Sequence, residues 1–544
     1  MTAPAVVVHS ARVVVPMTAP PIADGAVAVQ DGRILHVGDR SWVVDQLDAA
    51  GRTWTERRWR GALLPGLVNA HTHLQYTGMS SVGQRQYSGF EDWAAAFNDD
   101  YALPHDWRAE ASAGAVASIA AGVTSIADVV TDIEAADVLE RHGLGGIAYW
   151  EVMDWENAAW DSHGRAQVLD ELARIPTTPG AGLSPHAPYS LDVAPLLELP
   201  DIVRQRGLRL HLHLGEAAFE GERVALGPVP GLEGVDGVGH TADWHLANVP
   251  SFRAMRALGF GASATAFVDR LGVLGPDCHI AHGVYVTASD RALLRARGTA
   301  VALCPRSNAV IGLDPPPVAD YLREGSPIAI GTDSLSSSPS LDPMADVTAL
   351  HRIARAQGYA HRDLHERLLA AATLGGAHAM GLAVGPDRTG HLAVGARADL
   401  AVFDVDARTV PDALAELVED GAGRAVATVV RGVVRATDGI VHPTVLDARS
   451  ASAPVPELAA GPVLDEFGER VGHGAGVDVE DRQVGACAHG EVSGPVGSDR
   501  QPHGVGTTEG RRCEQPLVQV AVRVPLRPGD PVQRRHVGHR VEGR

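Results

Sequence analysis

The chain has 544 residues, 45% of them hydrophobic, a mean hydropathy of −0.01 and a formal net charge of −20. That length suits one large domain and a smaller one, and the acidic balance argues against a nucleic-acid backbone or an anionic membrane as the main partner. No apolar run approaches a membrane span and no basic-then-apolar leader is evident, so the sequence reads as a cytoplasmic protein.

Valine-rich alternation predicts strands over 5–15, 25–30 and 33–37, the last two joined at Asp31-Gly32. Similar runs recur at 398–404 and 427–436, the second broken at Gly432. The simplest arrangement is a small β-sandwich domain built from both chain ends, 1–60 and 386–447, around a middle domain, 61–385. In that middle, eight short apolar runs (63–71, 124–130, 144–152, 181–186, 208–214, 278–284, 299–304 and 327–333) alternate with amphipathic stretches such as 107–121, 165–175, 193–206 and 289–297. The alternation predicts an α/β fold, a TIM-like (β/α)8 barrel. A doubly wound open sheet is the alternative, but no Gly-rich dinucleotide turn accompanies it. Residues 220–276 are too many for one strand-to-helix connection and predict an added helix or lid. From Arg449 onward there is a single Phe, Phe467, and no Trp, Tyr or Ile, so 448–544 reads as a disordered, low-complexity tail, a composition that would also fit translation in a shifted frame.

In a barrel of this kind, chemistry sits at the carboxyl ends of the strands. The first run ends in His71-Thr72-His73, and alternation puts both imidazoles on one face, a start on a metal site. The fifth ends in His211-Leu212-His213-Leu214-Gly215-Glu216, the sixth in His279-Ile280-Ala281-His282-Gly283 and the eighth in Gly331-Thr332-Asp333-Ser334. A lone strand-end histidine is more often hydrogen-bonded than metal-bound, and Gly-Thr-Asp is a common turn. The signal lies in the whole set, in this order, on different strand ends.

These motifs resemble the amidohydrolase superfamily, in the branch of aminohydrolases that deaminate purines, pyrimidines and their nucleosides. The resemblance is carried by Pro65-Gly66-Leu67-Val68-Asn69-Ala70-His71-Thr72-His73, His213-Leu214-Gly215-Glu216, Ala281-His282-Gly283, Cys304-Pro305-Arg306-Ser307-Asn308, Gly331-Thr332-Asp333-Ser334 and Gly395-Ala396-Arg397-Ala398-Asp399-Leu400. It covers residues 1 to about 445. Many superfamily members bridge two metals with a carboxylated lysine, but this chain has no lysine and all 46 basic residues are arginine. The resemblance therefore implies one divalent metal held by His71, His73, His213 and Asp333, zinc by default and ferrous iron as the alternative. It further implies water activated toward a pKa of about 7, with Asp333 accepting the proton, His282 orienting the water and Glu216 protonating the ring nitrogen beside the attacked carbon. Glu216 lies at odd spacing from His213, so it must sit where the chain leaves the strand, at a bend that Gly215 eases. His211 shares a face with His213 and reads as packing or support.

Ser184-Pro185-His186-Ala187-Pro188-Tyr189-Ser190 resembles the substrate-binding motif of adenosine-type deaminases, which would put His186 on substrate; a proline-rigid loop is the plainer reading. The stretches 74–79 and 90–93 look closest to aminodeoxyfutalosine deaminases of the alternative menaquinone pathway, whose substrate carries a benzoate. Arg306, with Asn308 beside it, and then Arg85 are the candidate residues for that arm, since arginine pairs with carboxylates in bidentate geometry, although each arginine also reads as an ordinary surface residue. Glu91, Asp99, Asp100 and Glu151 are candidates for ribose hydroxyls. Competing readings are an S-adenosylhomocysteine, adenosine or guanine deaminase, a triazine chlorohydrolase of the same fold, and a non-catalytic scaffold, against which the full ligand set argues. The expected partner is a small nucleoside, and a homo-oligomer is compatible with the sequence.

Overall fold

The computed structural model describes residues 6–221 and 263–442. The chain opens with β1 (Val6–Val14), β2 (Ile22–Gln30), β3 (Arg33–Asp39), β4 (Trp54–Arg58) and β5 (Ala62–Pro65). Then come β6 (Leu67–Thr72), β7 (Val123–Val130), β8 (Gly145–Val152), β9 (Ala181–Pro185), β10 (Arg209–Leu214), β11 (Cys278–His282), β12 (Ala300–Leu303) and β13 (Ile328–Ile330). The last strands are β14 (Leu400–Phe403), β15 (Ala425–Val430), β16 (Val433–Thr437) and β17 (Ile440–Val441).

Strands β6 to β13 form a parallel sheet in strict chain order. The backbone N–H groups of Thr332 and Asp333 donate to the His71 carbonyl at 3.1 and 3.0 Å, which brings the chain after β13 against β6 and closes the ring. This is the (β/α)8 barrel that the alternation predicts. Every residue of β6, β7 and β8 is buried, as expected where helices cover the outside of a parallel sheet and side chains fill the inside. The helices Trp107–Ala120, Arg165–Leu172, Val193–Gln205 and Ala288–Arg297 match the amphipathic stretches to within a few residues. Two have side-chain caps: Asp106 accepts from the Ala109 N–H, and Thr287 forms a capping box with Asp290.

The run at 63–71, read as one strand, is two strands in different sheets. In β5, Leu63 lies opposite Val402 and Leu64 opposite Ala401 of antiparallel β14, while β1 runs parallel on the other side. The chain crosses to the barrel at Gly66, where a Cβ would stand 2.2 Å from the Thr124 hydroxyl, so only glycine lets the backbone pass β7 this closely. Both halves are fully buried, and an apolar run therefore carries no mark of the crossing.

Nine strands, β1–β5 and β14–β17, make the second sheet from both ends of the chain. Period-two alternation sorts its two faces. Val27, Val29, Leu63, Leu400 and Val402 cluster on one side, and Val6, Val8, Ala26 and Ala28 on the other, covered by Val43 and Leu47 of the helix Arg40–Ala49. The late motif acts at the seam between the sheets. Arg397 and Asp399, both buried, are paired at 2.7 Å, and Asp399 also accepts from the Arg431 N–H at 2.8 Å and the Thr389 hydroxyl at 2.9 Å. Of the expected insertion at 220–276, residues 222–262 lie outside the described residues, and the described remainder includes the helix Ala264–Arg270. The tail at 448–544 also lies outside them. Among the described residues no helix is long and apolar enough to cross a membrane.

Candidate active site

The barrel brings four of the expected residues to one point at its carboxyl end. His71 lies within β6 and His73 just beyond it, His213 lies in β10, and Asp333 follows β13. The Nε2 atoms of His73 and His213 are 3.3 Å apart, and Asp333 Oδ1 is 3.6 Å from His71 Nε2 and 3.9 Å from His73 Nε2. His282, the last residue of β11, joins His71 and Asp333 in an overlapping group of converging ligand atoms. All five side chains are buried.

The donor set fits a metal. His71 Nδ1 is 3.0 Å from His211 Nε2, which leaves His71 Nε2 buried in the cluster without a hydrogen-bond partner. His213 Nδ1 is 3.1 Å from the His186 carbonyl, which leaves its Nε2 for the centre. Buried polar atoms without partners are rare in folded proteins, and imidazoles whose second nitrogen is held by another group are typical of metal ligands. Three imidazoles and a carboxylate suit a single zinc-type ion that keeps a position for water.

Burial sets the protonation states. It pushes His73 down to about 3, with His71 adding to the effect. It lowers His213 as well, followed by His71 and His186, and it lowers His71 against the opposing pull of Asp333. Burial thus favours the neutral imidazole that ligates, while Asp333 pulls His71 toward its protonated form. Burial opposes ionisation of Asp333, but contact with His71 and the potential of His282 and His73 outweigh it and hold this carboxyl well below its usual range. Glu216 goes the other way: burial first, then the Asp333 charge, push it well above the usual carboxylate range.

Backbone geometry aims these groups. Asp333 and His282 have φ of +59° and +72°, and Gly215 has +66°. For the two non-glycine residues this left-handed conformation costs about 1–3 kcal/mol each, a strain that clusters at functional sites. Asp333 is held by the Ser307 hydroxyl and the Ser334 N–H, each at 2.7 Å. Glu216 sits at the bend after β10, as its odd spacing requires, with Oε1 3.5 Å from His282 Nε2. Glu220, absent from the sequence reading, fixes that bend by accepting from the N–H groups of Gly215, Glu216 and Ala217 at 3.0, 3.0 and 3.1 Å. Its only trace in the sequence is a second acid four residues after the first.

The other expected substrate contacts fare differently. His186 reaches the site, its ring 5.0 Å from that of His213 and its Nδ1 2.9 Å from the Ser190 hydroxyl. Asn308 instead supports His282, with Oδ1 3.1 Å from His282 Nδ1. Arg306 does not fit its expected role. Its guanidinium is committed to buried Asp346 at 2.8 Å, to the Ser340 hydroxyl and to the Ser340 and Asp342 carbonyls. Arg85 is exposed and lies over the Tyr87 ring at 5.3 Å. Of the four acids considered for ribose only Glu151 is buried. Its Oε1 lies 3.5 Å from His213 Nδ1, and it lines a cavity of about 340 Å³ together with Tyr101, Trp150, Asp154 and Trp155.

An aromatic wall that the sequence reading overlooked flanks the cluster. Tyr76 stacks on His73 at 5.2 Å and meets Phe97 at 5.0 Å, and Tyr189 meets His186 at 5.8 Å and Phe219 at 5.1 Å. The helix Phe90–Tyr101 supplies Phe90, Trp93, Phe97 and Tyr101 at helical spacing, the one pattern that could have revealed the wall.

A parallel barrel whose carboxyl end gathers His71, His73, His213, His282 and Asp333 has the architecture of a barrel hydrolase with a metal-binding cluster. The chain belongs to the amidohydrolase family, whose model matches residues 62–441, and it is a hydrolytic enzyme acting on C–N bonds. The 5-methylthioadenosine/S-adenosylhomocysteine deaminase of Haloarcula marismortui is 30% identical over 404 residues, which cover 71% of this chain and 81% of that one. Among solved structures, a zinc-bound adenosine deaminase of Xanthomonas campestris superposes with a TM-score of 0.65 at 24% identity, covering 82% of this chain and 96% of that one. The aminofutalosine deaminase of Helicobacter pylori gives 0.63 at 18% identity, covering 78% and 99%. At these identities the two structures speak for the fold.

Proposed function

We propose that the protein is a metal-dependent aminohydrolase that converts the C6–NH2 of an adenine nucleoside to C=O with release of ammonia. The observation that carries this reading is the convergence of His71, His73, His213 and Asp333 at the carboxyl end of the barrel, with Glu216 at the adjoining bend 3.5 Å from His282. Two buried carboxyls at one cluster are driven in opposite directions, Glu216 toward its protonated form and Asp333 toward its ionised form. Such divergence supports reading Glu216 as the acid and Asp333 as the base. His71, His73, His213 and Asp333 would hold the metal, zinc being the ion this donor set favours. When bound, the metal supplies Lewis-acid activation of water at neutral pH. Asp333 then takes up the proton of the attacking water, and His282, steadied by Asn308, orients that water. Glu216 delivers its proton to the ring nitrogen beside C6. Carbon–oxygen bond formation makes C6 tetrahedral; the C6–N bond then breaks, the amino group leaves as ammonia with the proton held by Asp333, and the remaining hydroxyl proton returns to Glu216 as C6 becomes C=O.

For the substrate we infer 6-amino-6-deoxyfutalosine, a step of menaquinone synthesis, as the first reading. The aromatic wall supports it, because a second ring on the substrate arm would find a partly exposed stacking partner in Phe97, backed by Tyr76. Methylthioadenosine or S-adenosylhomocysteine is the second reading, supported by the 30% identical relative. Ammonia release from a panel of these three nucleosides, adenosine and guanine, by enzyme of counted metal content, tests both. A rate on aminodeoxyfutalosine at least about 100-fold above the rest supports the first reading. A preference for a thio-nucleoside transfers the assignment, and no ammonia from any amine overturns the deaminase reading.

A further inference from the structure

Away from the barrel mouth, three helices meet: Pro343–Ala356, Leu364–Ala370 and Val410–Asp420. Each contributes one group to a small cluster. The His351 and His365 rings lie side by side, 5.0 Å apart at 26°. Both aim Nε2 at the same oxygen, Glu419 Oε1, from 3.7 and 2.8 Å. We propose that His351, His365 and Glu419 form a second divalent-metal site, structural in role, that ties the helix Val410–Asp420 to the outer helices of the barrel.

Four observations support it. The three ligand atoms fall within 4.8 Å of one another, and the two nitrogen-to-oxygen distances bracket the separation of about 3.3 Å that a tetrahedral ion with bonds of about 2.0 Å imposes. His351 Nε2 is buried without a hydrogen-bond partner, so the carboxylate satisfies one imidazole and leaves the other to a third party. Glu419 stands in the last turn of its helix, a turn with no basic residue, where the negative end of the helix dipole disfavours a carboxylate and favours a cation. Finally, the donor set selects the class of ion. Two imidazoles and one carboxylate suit zinc or a similar first-row ion and disfavour calcium and magnesium, which seek oxygen. Arg352 and Arg355 raise the local positive potential at His351. They oppose any cation there, a cost that the bonds to the two imidazole nitrogens must outweigh. Glu419 is half exposed, so water completes the shell.

The test is a zinc count on the full-length protein after equilibration with a small excess of Zn2+, alongside its melting temperature. The wild type should hold about one zinc more per chain than His365→Ala or Glu419→Gln, and His71→Ala should keep that extra ion while losing the other. Added Zn2+ should raise the wild-type melting temperature by about 2 °C or more beyond the shift seen in either variant. Glu419→Gln is isosteric at an exposed position and keeps the comparison valid should His365→Ala fold poorly. Ammonia release per active-site metal should be unchanged in both. Equal zinc counts and equal melting shifts in the wild type and Glu419→Gln would overturn the proposal.

Discussion

Nε2 of His211 lies 3.0 Å from Nδ1 of His71, and the His211 ring lies 4.5 Å from that of His279, whose own Nε2 is 2.9 Å from the Ala70 carbonyl. A file of buried histidines thus runs inward from the metal cluster. For His71 to offer Nε2 to a metal, its Nδ1 must carry the hydrogen and give it to His211, so the inner histidine selects the tautomer of the outer one. His211→Ala should keep the fold by circular dichroism and weaken zinc binding about 10–100-fold, measured by chelator competition. An unchanged affinity would reduce His211 to packing.

Glu216→Gln separates proton delivery from metal binding. The amide keeps the shape of the side chain but cannot supply the proton. Metal content should match the wild type, and kcat should fall by about 10²–10⁴-fold, measured as ammonia release under saturating substrate. A loss of metal alongside activity would instead make Glu216 a ligand.

Arg306→Ala should act on stability rather than on substrate. Removing the guanidinium strands Asp346, which is fully buried and paired with Arg306 at 2.8 Å. Loss of one partner of a buried pair costs about 3–5 kcal/mol, reduced here because burial already pushes Asp346 up to about 6 and a proton can neutralise it. Urea denaturation should show a loss of about 2–4 kcal/mol with KM for the nucleoside essentially unchanged. A large rise in KM at unchanged stability would return Arg306 to the substrate.

Acid should weaken the nine-stranded sheet through His9. This side chain is buried and takes a hydrogen bond from the Trp59 indole at 3.2 Å. Burial first, then Arg57, lower it from 6.5 to about 4. The unfolded chain therefore binds a proton below pH 6.5 that the folded chain refuses until pH 4. The contribution is fully present above about pH 6.5 and lost as pH falls toward 4, amounting to roughly 3 kcal/mol. His9→Asn should flatten stability over that window in urea melts at stepped pH. An unaltered slope would mean that other groups dominate.

The barrel was legible because each strand is a buried apolar run with a polar end, and His71, His73, His213, His282 and Asp333 all stand at such ends. What escaped the sequence depends on distance in space. Nothing in a linear reading tells that Leu64 pairs with Ala401 while Leu67, three residues on, faces the barrel. Asn308 and Arg306 share one motif, yet one steadies His282 and the other neutralises Asp346. Side chains on a short helix diverge by about 100° per residue, so nearness in sequence did not predict a shared role. Glu220 escaped because its work is done through backbone N–H groups, which every residue carries.

The position of β5 between β1 and β14 bears on how the chain is made. The edge that Leu63 and Leu64 present to β14 stays unpaired until residues 400–403 have left the ribosome, near the end of the described chain. Through most of synthesis the nascent protein carries an open apolar strand edge directly beside Gly66, the entry to the barrel. Pairings this remote in sequence are slow to form and leave such edges open to wrong partners. A chain interrupted before β14 would hold every expected metal ligand and still lack the strand that pairs with β5.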